Sequence, residues 1–410
     1  MFQRPSGPVS AAAFLHDVHA LAAALPAGQH PVNLCRDRYA FAVAFCAAVV
    51  AGRTTLLNVD AASLETLAAA YDGCFAVSDE AVWACLERDP NYQDRLCPDI
   101  DAQHLAAIVF TSGSTGAPVP HPKRWGALVA RSRAAAEQFG LRAGTVVGTV
   151  PPQHMYGFET TVLLPLHAPV ASWCGPAFFP GDIGAALVAC PCPRVLVTTP
   201  LLLRTLLHAG LGLPQLEAVI SATAPLDPAF AALVESSWDT PVFEIFGATE
   251  CGSIASRRTT AGAKWTPYPG LRVDIGIACS TVHAPDAEPV PLADLLEPEG
   301  DGFLLLGRRT DVVKLGGRRA SLPGLNRLLT GLAGVDDGAF VVPDEDGTPG
   351  RLVAVVVAPG LTVPGILADL RRVMDPIFLP RRVIQVESLP RNALGKLPRH
   401  ALLQLVAASR

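Results

Sequence analysis

The sequence predicts an α/β protein: a large N-terminal domain of parallel-rich sheets with flanking helices, followed by a small α+β C-terminal domain. Three observations predict it. Strand-like apolar runs alternate with helical patterns from residue 31 to residue 246, as in a parallel sheet with helical crossovers. At 410 residues the chain exceeds what one hydrophobic core usually holds. After residue 339 the alternation gives way to two strands around an Asp-Gly turn, one helix and a further strand.

Taken in order, residues 10–25 read as an amphipathic helix, with Phe14, Val18, Leu21 and Leu25 at helical spacing. Residues 31–35 read as a strand, followed by a helix through Phe41, Phe45 and Val49 that Gly52 closes. Residues 54–57 and 108–110 are short apolar strands, and a helix runs from about Trp125 to Phe139. Strands are expected at 146–150, 194–198, 218–221 and 242–246, the last two bridged by a helix that Asp227-Pro228 opens as N-cap and first residue. Residues 339–342 and 352–358 pair around Asp344-Glu345-Asp346-Gly347; a helix at 363–374 and a strand at 383–386 complete the C-terminal domain.

Half the residues are apolar and 17% are charged, a globular composition. A net charge of −5 without a basic block argues against a nucleic-acid partner. The apolar run Ala40 to Ala51 is too short to cross a bilayer, which takes about 20 residues. His16, Asp17 and His19 interrupt the N-terminal apolar stretch, so a secretion signal is not expected. No membrane partner and a cytoplasmic location follow as expectations. The ten cysteines lack zinc spacing and are expected to be reduced. Lysine occurs only at positions 123, 264, 314 and 396, against 28 arginines (32 less 4), so each lysine is a candidate for a task that arginine cannot do.

The strongest local signal is the strand Ile108-Val109-Phe110 running into Thr111-Ser112-Gly113-Ser114-Thr115-Gly116, then Ala117-Pro118. Backbone N–H groups and short hydroxyls in such a loop can surround a phosphate without bulk. No Gly-Lys-Ser/Thr follows, so it is not a Walker loop. A Ser/Gly linker is the bland alternative.

With five further motifs, this loop resembles that of the adenylate-forming superfamily: acyl-CoA synthetases, aryl-acid ligases and nonribosomal peptide adenylation domains. Pro151-Pro152-Gln153-His154-Met155-Tyr156-Gly157-Phe158 is similar to the turn that walls the acyl pocket in that superfamily. Ser221 to Leu226 is similar to the turn against adenine, and Phe246-Gly247-Ala248-Thr249-Glu250 to its aromatic-Gly-x-Thr-Glu signature. Leu304 to Arg319 resembles the domain junction, and Pro390 to Arg399 the terminal Pro-x-x-x-x-Gly-Lys-x-x-Arg motif. The likeness covers essentially all 410 residues.

The resemblance implies a two-domain enzyme, residues 1–308 and a mobile 309–410, that uses ATP and Mg²⁺. It implies that Thr111, Ser112, Gly113, Ser114, Thr115 and Gly116 hold the pyrophosphate. Ala222, Thr223, Ala224, Phe246 and Gly247 would surround adenine, with Asp294 and Arg308 at the ribose. His154, Tyr156, Gly157 and Phe158 would form the acyl pocket. Thr249 would bond the α-phosphate, Glu250 would hold Mg²⁺, Lys396 would bridge carboxylate and α-phosphate, and Arg309, Thr310 and Asp311 would form the hinge. The partners implied are a carboxylic acid and a pantetheine thiol, of an acyl carrier protein or of CoA. A trimmed N-terminal region and the Pro-His-Pro-Lys-Arg-Trp stretch resemble ligases that load hydroxybenzoate-like acids onto carrier proteins in aryl polyene and xanthomonadin-type pigment synthesis.

Four positions depart from the superfamily pattern. Val119 stands where a lysine usually follows the loop's proline, Leu292 and Ala293 precede Asp294 in place of Thr-Gly, and Thr310 stands at the usual hinge aspartate. Lys123, four residues after Val119, is the candidate for the phosphate charge, with Arg124 as competitor. The departures also leave open a non-catalytic nucleotide-binding module.

Overall fold

Runs such as Val195-Leu196-Val197 and Val219-Ile220 are apolar on both faces, as strands of a helix-covered parallel sheet must be. The computed structural model describes residues 1–57, 64–88, 96–112, 118–276, 279–308, 312–315, 318–345, 348–349, 351–391 and 397–409. By its contacts the chain divides into two compact units, Met1–Asp274 with Thr281–Val290, and Ile275–Ser280 with Pro291–Arg410.

The first unit holds two sheets. In the smaller, the strands β3 (His30–Asn33), β4 (Thr55–Leu57), β5 (Cys74–Val77), β6 (Leu105–Ser112) and β7 (Pro118–Arg124) lie in the order β5-β3-β4-β6-β7. All pairs are parallel except β6 with β7. In the larger, nine strands of this unit lie in the order β14-β13-β12-β11-β10-β8-β9-β1-β2. These are β1 (Phe2–Arg4), β2 (Gly7–Val9), β8 (Thr145–Gly148), β9 (Ala171–Trp173), β10 (Arg194–Thr198), β11 (Ala218–Ser221), β12 (Val242–Ala248), β13 (Gly252–Arg258) and β14 (Lys264–Pro267). The run from β12 to β1 is parallel, and both ends of the series turn antiparallel.

The helices follow the expected caps. Ser10 accepts from Ala13 N to open α1 (Ala11–Ala24), and Asp37 accepts from Ala40 N to open α2 (Arg38–Val50). Gly52, at φ +69°, ends α2 in the left-handed region. Nearly every α2 residue is buried, which is why the helix is apolar around its whole circumference. Phe2, Phe14, Tyr39, Phe41 and Phe45 form one core with Phe158 of a short π-helical segment, Phe158–Leu163.

One strand has no counterpart among the sequence expectations. Residues 118–124, with proline at 118, 120 and 122, form the strand β7. Alternate prolines suit a sheet edge: their nitrogens share the side facing away from β6, where no ladder bond is lost. The register pairs Val119 with Thr111, His121 with Val109 and Lys123 with Ala107, so Val119, His121 and Lys123 share one face.

In the second unit, Asp337–Val341 pairs antiparallel with Val353–Val357, which pairs parallel with Arg382–Gln385. Helices Leu322–Thr330, Val363–Val373 and Arg399–Ala408 accompany this sheet. Thr362 caps the second of them through Gly365 N. The unit's apolar residues include Leu329, Phe340, Val355, Ile366 and Leu370. Hairpin Asp294–Glu299 with Gly302–Arg308 also belongs to it. Among the described residues, no helix is long and apolar enough to cross a membrane.

Candidate active site

Two hairpins of the first unit carry the signature residues, and the β12–β13 hairpin is the more completely determined. Ala248 pairs with Gly252, the Cys251 N–H donates to Ala248 O at 3.2 Å, and Gly252 has φ +75°. A tight turn followed by one left-handed glycine is a standard way to close a three-residue hairpin loop. It places Thr249 and Glu250 at the tip, with Thr249 half-buried and Glu250 exposed. A Cβ on Gly247 would lie 2.6 Å from Gly252 O, so this glycine serves strand approach within the hairpin.

Three buried charged side chains support this tip. Lys123 of β7 donates through Nζ to Thr249 O at 2.5 Å and to Glu250 O at 2.8 Å. Arg131, on the helix α5 that follows β7 once α3 (Leu64–Ala70) and α4 (Asp79–Arg88) are counted, donates to Ser253 O; α5 spans Trp125–Gln138. Glu159, in the π-helical segment, accepts from Ser253 N at 3.1 Å and from the Ser253 hydroxyl. A Cβ on Gly252 would collide with Glu159 Oε1, so position 252 requires glycine for its φ and for its space. Burial pushes the Lys123 ammonium below its ordinary range, opposed by Cys251, Glu159 and Glu250. Burial likewise pushes the Glu159 carboxyl up, opposed by Arg131, Ser253 and Lys123.

The second hairpin, β6–β7, brings Thr111 to its end; the Ser112 side chain and residues Gly113, Ser114, Thr115 and Gly116 lie outside the described ones. Thr111 Oγ1 is 3.0 Å from His121 Nε2. A ring N–H donated to the threonine oxygen leaves the threonine O–H free to donate elsewhere. Partial burial holds the His121 imidazolium below its usual range, opposed by the Glu250 carboxylate.

The adenine-turn residues sit at the carboxyl end of β11, where parallel sheets bind ligands. Ala222 is buried, Ala224 is half-buried and Thr223 has φ +81°, a backbone state that non-glycine residues seldom adopt. Nearby strand ends β3, β8 and β9 border an open groove of about 890 Å³ lined by His154, Gln153, Arg36, Asp37 and Phe178.

The AMP-binding enzyme family matches residues 14–294 of this chain. The chain belongs to that family. Among its relatives, a 4-coumarate–CoA ligase of Rhodobacter capsulatus is 32% identical over 260 residues, 60% of this chain and 65% of that protein. The match thus spans just under two thirds of that relative's length. A 4-coumarate–CoA ligase of Halorhodospira halophila is 30% identical over 316 residues, 72% of this chain and 76% of that one. A 3-hydroxybenzoate/4-hydroxybenzoate–CoA ligase of Thauera aromatica is 22% identical over 74% of this chain and 67% of its own. In fold, the chain is similar to ATP-bound MatB of Rhodopseudomonas palustris, with TM-score 0.81, 19% identity and coverage of 98% and 95%. It is also similar to o-succinylbenzoate CoA synthetase of Bacillus subtilis in complex with its acyl-adenylate, with TM-score 0.83, 16% identity and coverage of 98% and 94%.

In this AMP-binding enzyme, several residues expected at the ligands are placed otherwise. Lys123 is engaged with the carbonyls of Thr249 and Glu250. Phe246 is 8% exposed and packs against Trp265, ring centroids 5.7 Å apart. Phe158 is fully buried against Phe41 and Phe45 and belongs to the core, not to a pocket wall. The Tyr156 hydroxyl donates to Thr198 O at 3.1 Å and to Ile220 O at 2.9 Å, which ties this half-buried ring to the carboxyl ends of β10 and β11. Gly157 is where a Cβ would strike Pro151 O. Asp294 is buried and pairs across its hairpin with Arg308, so the two ribose candidates are neighbours. Lys396 and the hinge residues Arg309, Thr310 and Asp311 lie outside the described residues.

Sequence reasoning missed Arg131, Glu159, His121 and Gly252. Arg131 stands three residues after Leu128 on the buried stripe of α5, and Glu159 follows Phe158 in a segment buried throughout. A charge on a buried face was the available signal. Among the described residues no group of three or more metal-ligating side chains forms. Glu250 is a single exposed carboxylate, a donor set that fits Mg²⁺ shared with a nucleotide's phosphates.

Proposed function

We propose that this enzyme activates a carboxylic acid with Mg·ATP and passes the acyl group to a pantetheine thiol. A carboxylate oxygen attacks the α-phosphorus, the bond to the β-phosphate breaks, and pyrophosphate leaves with the acyl-adenylate retained. The thiolate then attacks the acyl carbonyl and AMP departs. Both partners of the first step are anionic, so catalysis consists of positioning and charge neutralisation. No general base is needed, because the acid is ionised near neutral pH.

The observation that carries this reading is the β12–β13 hairpin, which presents the Thr249 hydroxyl and Glu250 carboxylate at its tip and fixes them from below. In the proposal, Thr249 bonds the α-phosphate and Glu250 holds Mg²⁺. Thr111 to Gly116 hold the leaving pyrophosphate, Ala222 to Ala224 lie against adenine with Gly247 beside them, and Asp294 and Arg308 take the ribose. Lys396 bridges carboxylate and phosphate, and the C-terminal domain pivots about Arg309, Thr310 and Asp311 between half-reactions. The groove beside His154 admits the acid. The named ligases of R. capsulatus, H. halophila and T. aromatica take aryl acids, which supports an aryl acid such as a hydroxybenzoate here. An acyl carrier protein is the proposed acceptor and CoA the alternative.

Carboxylate-dependent exchange of labelled pyrophosphate into ATP tests this across a panel of aryl and alkyl acids. Exchange is expected with an aryl acid, and Lys396→Ala is expected to abolish it while ATP binding persists. No exchange with any acid would leave a nucleotide-binding module as the reading.

A further inference from the structure

We infer that Lys123 is a positioning residue: it sets the tip of the 249–252 hairpin through the backbone, so that Glu250 meets the magnesium-bound phosphates, and it does not itself bind phosphate. This rests on the acid-activating reading above.

The geometry argues it in three steps. Successive carbonyls of an extended strand point in opposite directions, yet the carbonyl oxygens of Thr249 and Glu250 converge on one ammonium. The contact therefore defines the turn, and two of the three ammonium protons are spent on it. Next, Lys123 is 8% exposed while Glu250 is exposed, so the cation lies on the inner side of the turn whose outer side carries the carboxylate. Finally, the chain uses arginine 28 times (32 less 4) and lysine four times, yet places lysine here. A compact ammonium with three rotatable donors serves two adjacent carbonyls from one point, whereas the longer, planar guanidinium would carry its donors past that point.

The position nearer the phosphate loop on the same face is Val119, an uncharged side chain that is 43% exposed. Charge beneath the nucleotide face is supplied instead from inside the protein. Lys123 and Arg131 share the buried cluster with a single carboxylate, Glu159. That excess of one cation lies directly under the turn.

Lys123→Met and Lys123→Arg test this by calorimetric titration with ATP, with and without Mg²⁺, alongside pyrophosphate exchange. Both variants are expected to bind Mg²⁺-free ATP within about 3-fold of wild type, to lose about tenfold of the affinity that Mg²⁺ adds, and to exchange about 100-fold more slowly at a KM for ATP within about 3-fold. Glu250→Gln should lose the same Mg²⁺ increment, and combining it with Lys123→Met should lose nothing more, the signature of two residues acting through one contact. A fall of about tenfold or more in Mg²⁺-free ATP affinity, with the Mg²⁺ increment intact, would show a direct phosphate contact and overturn the inference. Wild-type behaviour in both variants would overturn it too. Should Lys123→Met fail to fold, Lys123→Arg and its combination with Glu250→Gln decide. Wild-type protein that binds ATP but exchanges with no acid removes the acid-activating reading, while the calorimetric comparison still judges Lys123. Wild-type protein that binds no ATP removes both.

Discussion

The two hairpins that carry the nucleotide motifs solve opposite problems. The β12–β13 tip is short and held from its inner side: Gly247 and Gly252 let its strands approach, and Lys123, Arg131 and Glu159 take its inner polar groups. The β6–β7 hairpin lies at a sheet edge, where three alternate prolines discourage a further strand from adding. Its exposed edge costs no ladder bonds, and its opposite positions carry His121 to Thr111 and Lys123 to the other hairpin. The difference teaches that the edge strand is the connecting part: among the described residues it bonds both Thr111 and the Thr249–Glu250 tip.

The largest test of this contrast is Glu159→Leu. Removing the one anion of the buried cluster leaves two cations uncompensated and should cost about 3–5 kcal/mol in chemical denaturation, whereas Glu159→Leu with Arg131→Leu should recover part of that. A smaller effect is expected from Gly252→Ala, where a left-handed φ and a collision with Glu159 combine to a loss of about 2–3 kcal/mol and at least a tenfold slower exchange. Wild-type exchange in that variant would show that the tip tolerates displacement. Smallest is the pair on β7: His121→Pro removes an inward ladder donor and should cost about 1–3 kcal/mol, while Pro120→Val, on the outward register, should stay within about 0.5 kcal/mol. Equal thermal melting of those two variants would refute the register argument.

Most of the fold was legible because its strands are apolar and its caps are explicit. Residues 194–198 and 218–221, the Asp227 cap and the 363–373 helix need only local pattern. The strand at residues 118–124 was not expected, because proline reads as a breaker when only one strand's sequence is considered; its period of two was the signal for an edge. In the site, the tip residues were legible and their supports were not. Lys123 lies 126 positions from Thr249, and Glu159 lies 94 from Ser253, separations at which no local periodicity reports a contact. Phe158 was assigned to the acyl pocket because an aromatic ring suits one, but packing against Phe41 and Phe45 holds it in the core.

The supports precede the hairpin they hold. During synthesis Lys123, Arg131 and Glu159 leave the ribosome before residues 249–253 exist, so the nascent N-terminal segment carries three charges whose backbone partners are still to come. Until then hydration keeps that surface open, which guards against premature apolar collapse over the place where the hairpin belongs. Arrival of the Thr249–Ser253 segment replaces water at all three charges together. The signature turn therefore takes its supports from contacts of long sequence separation, whose partners are all made before it.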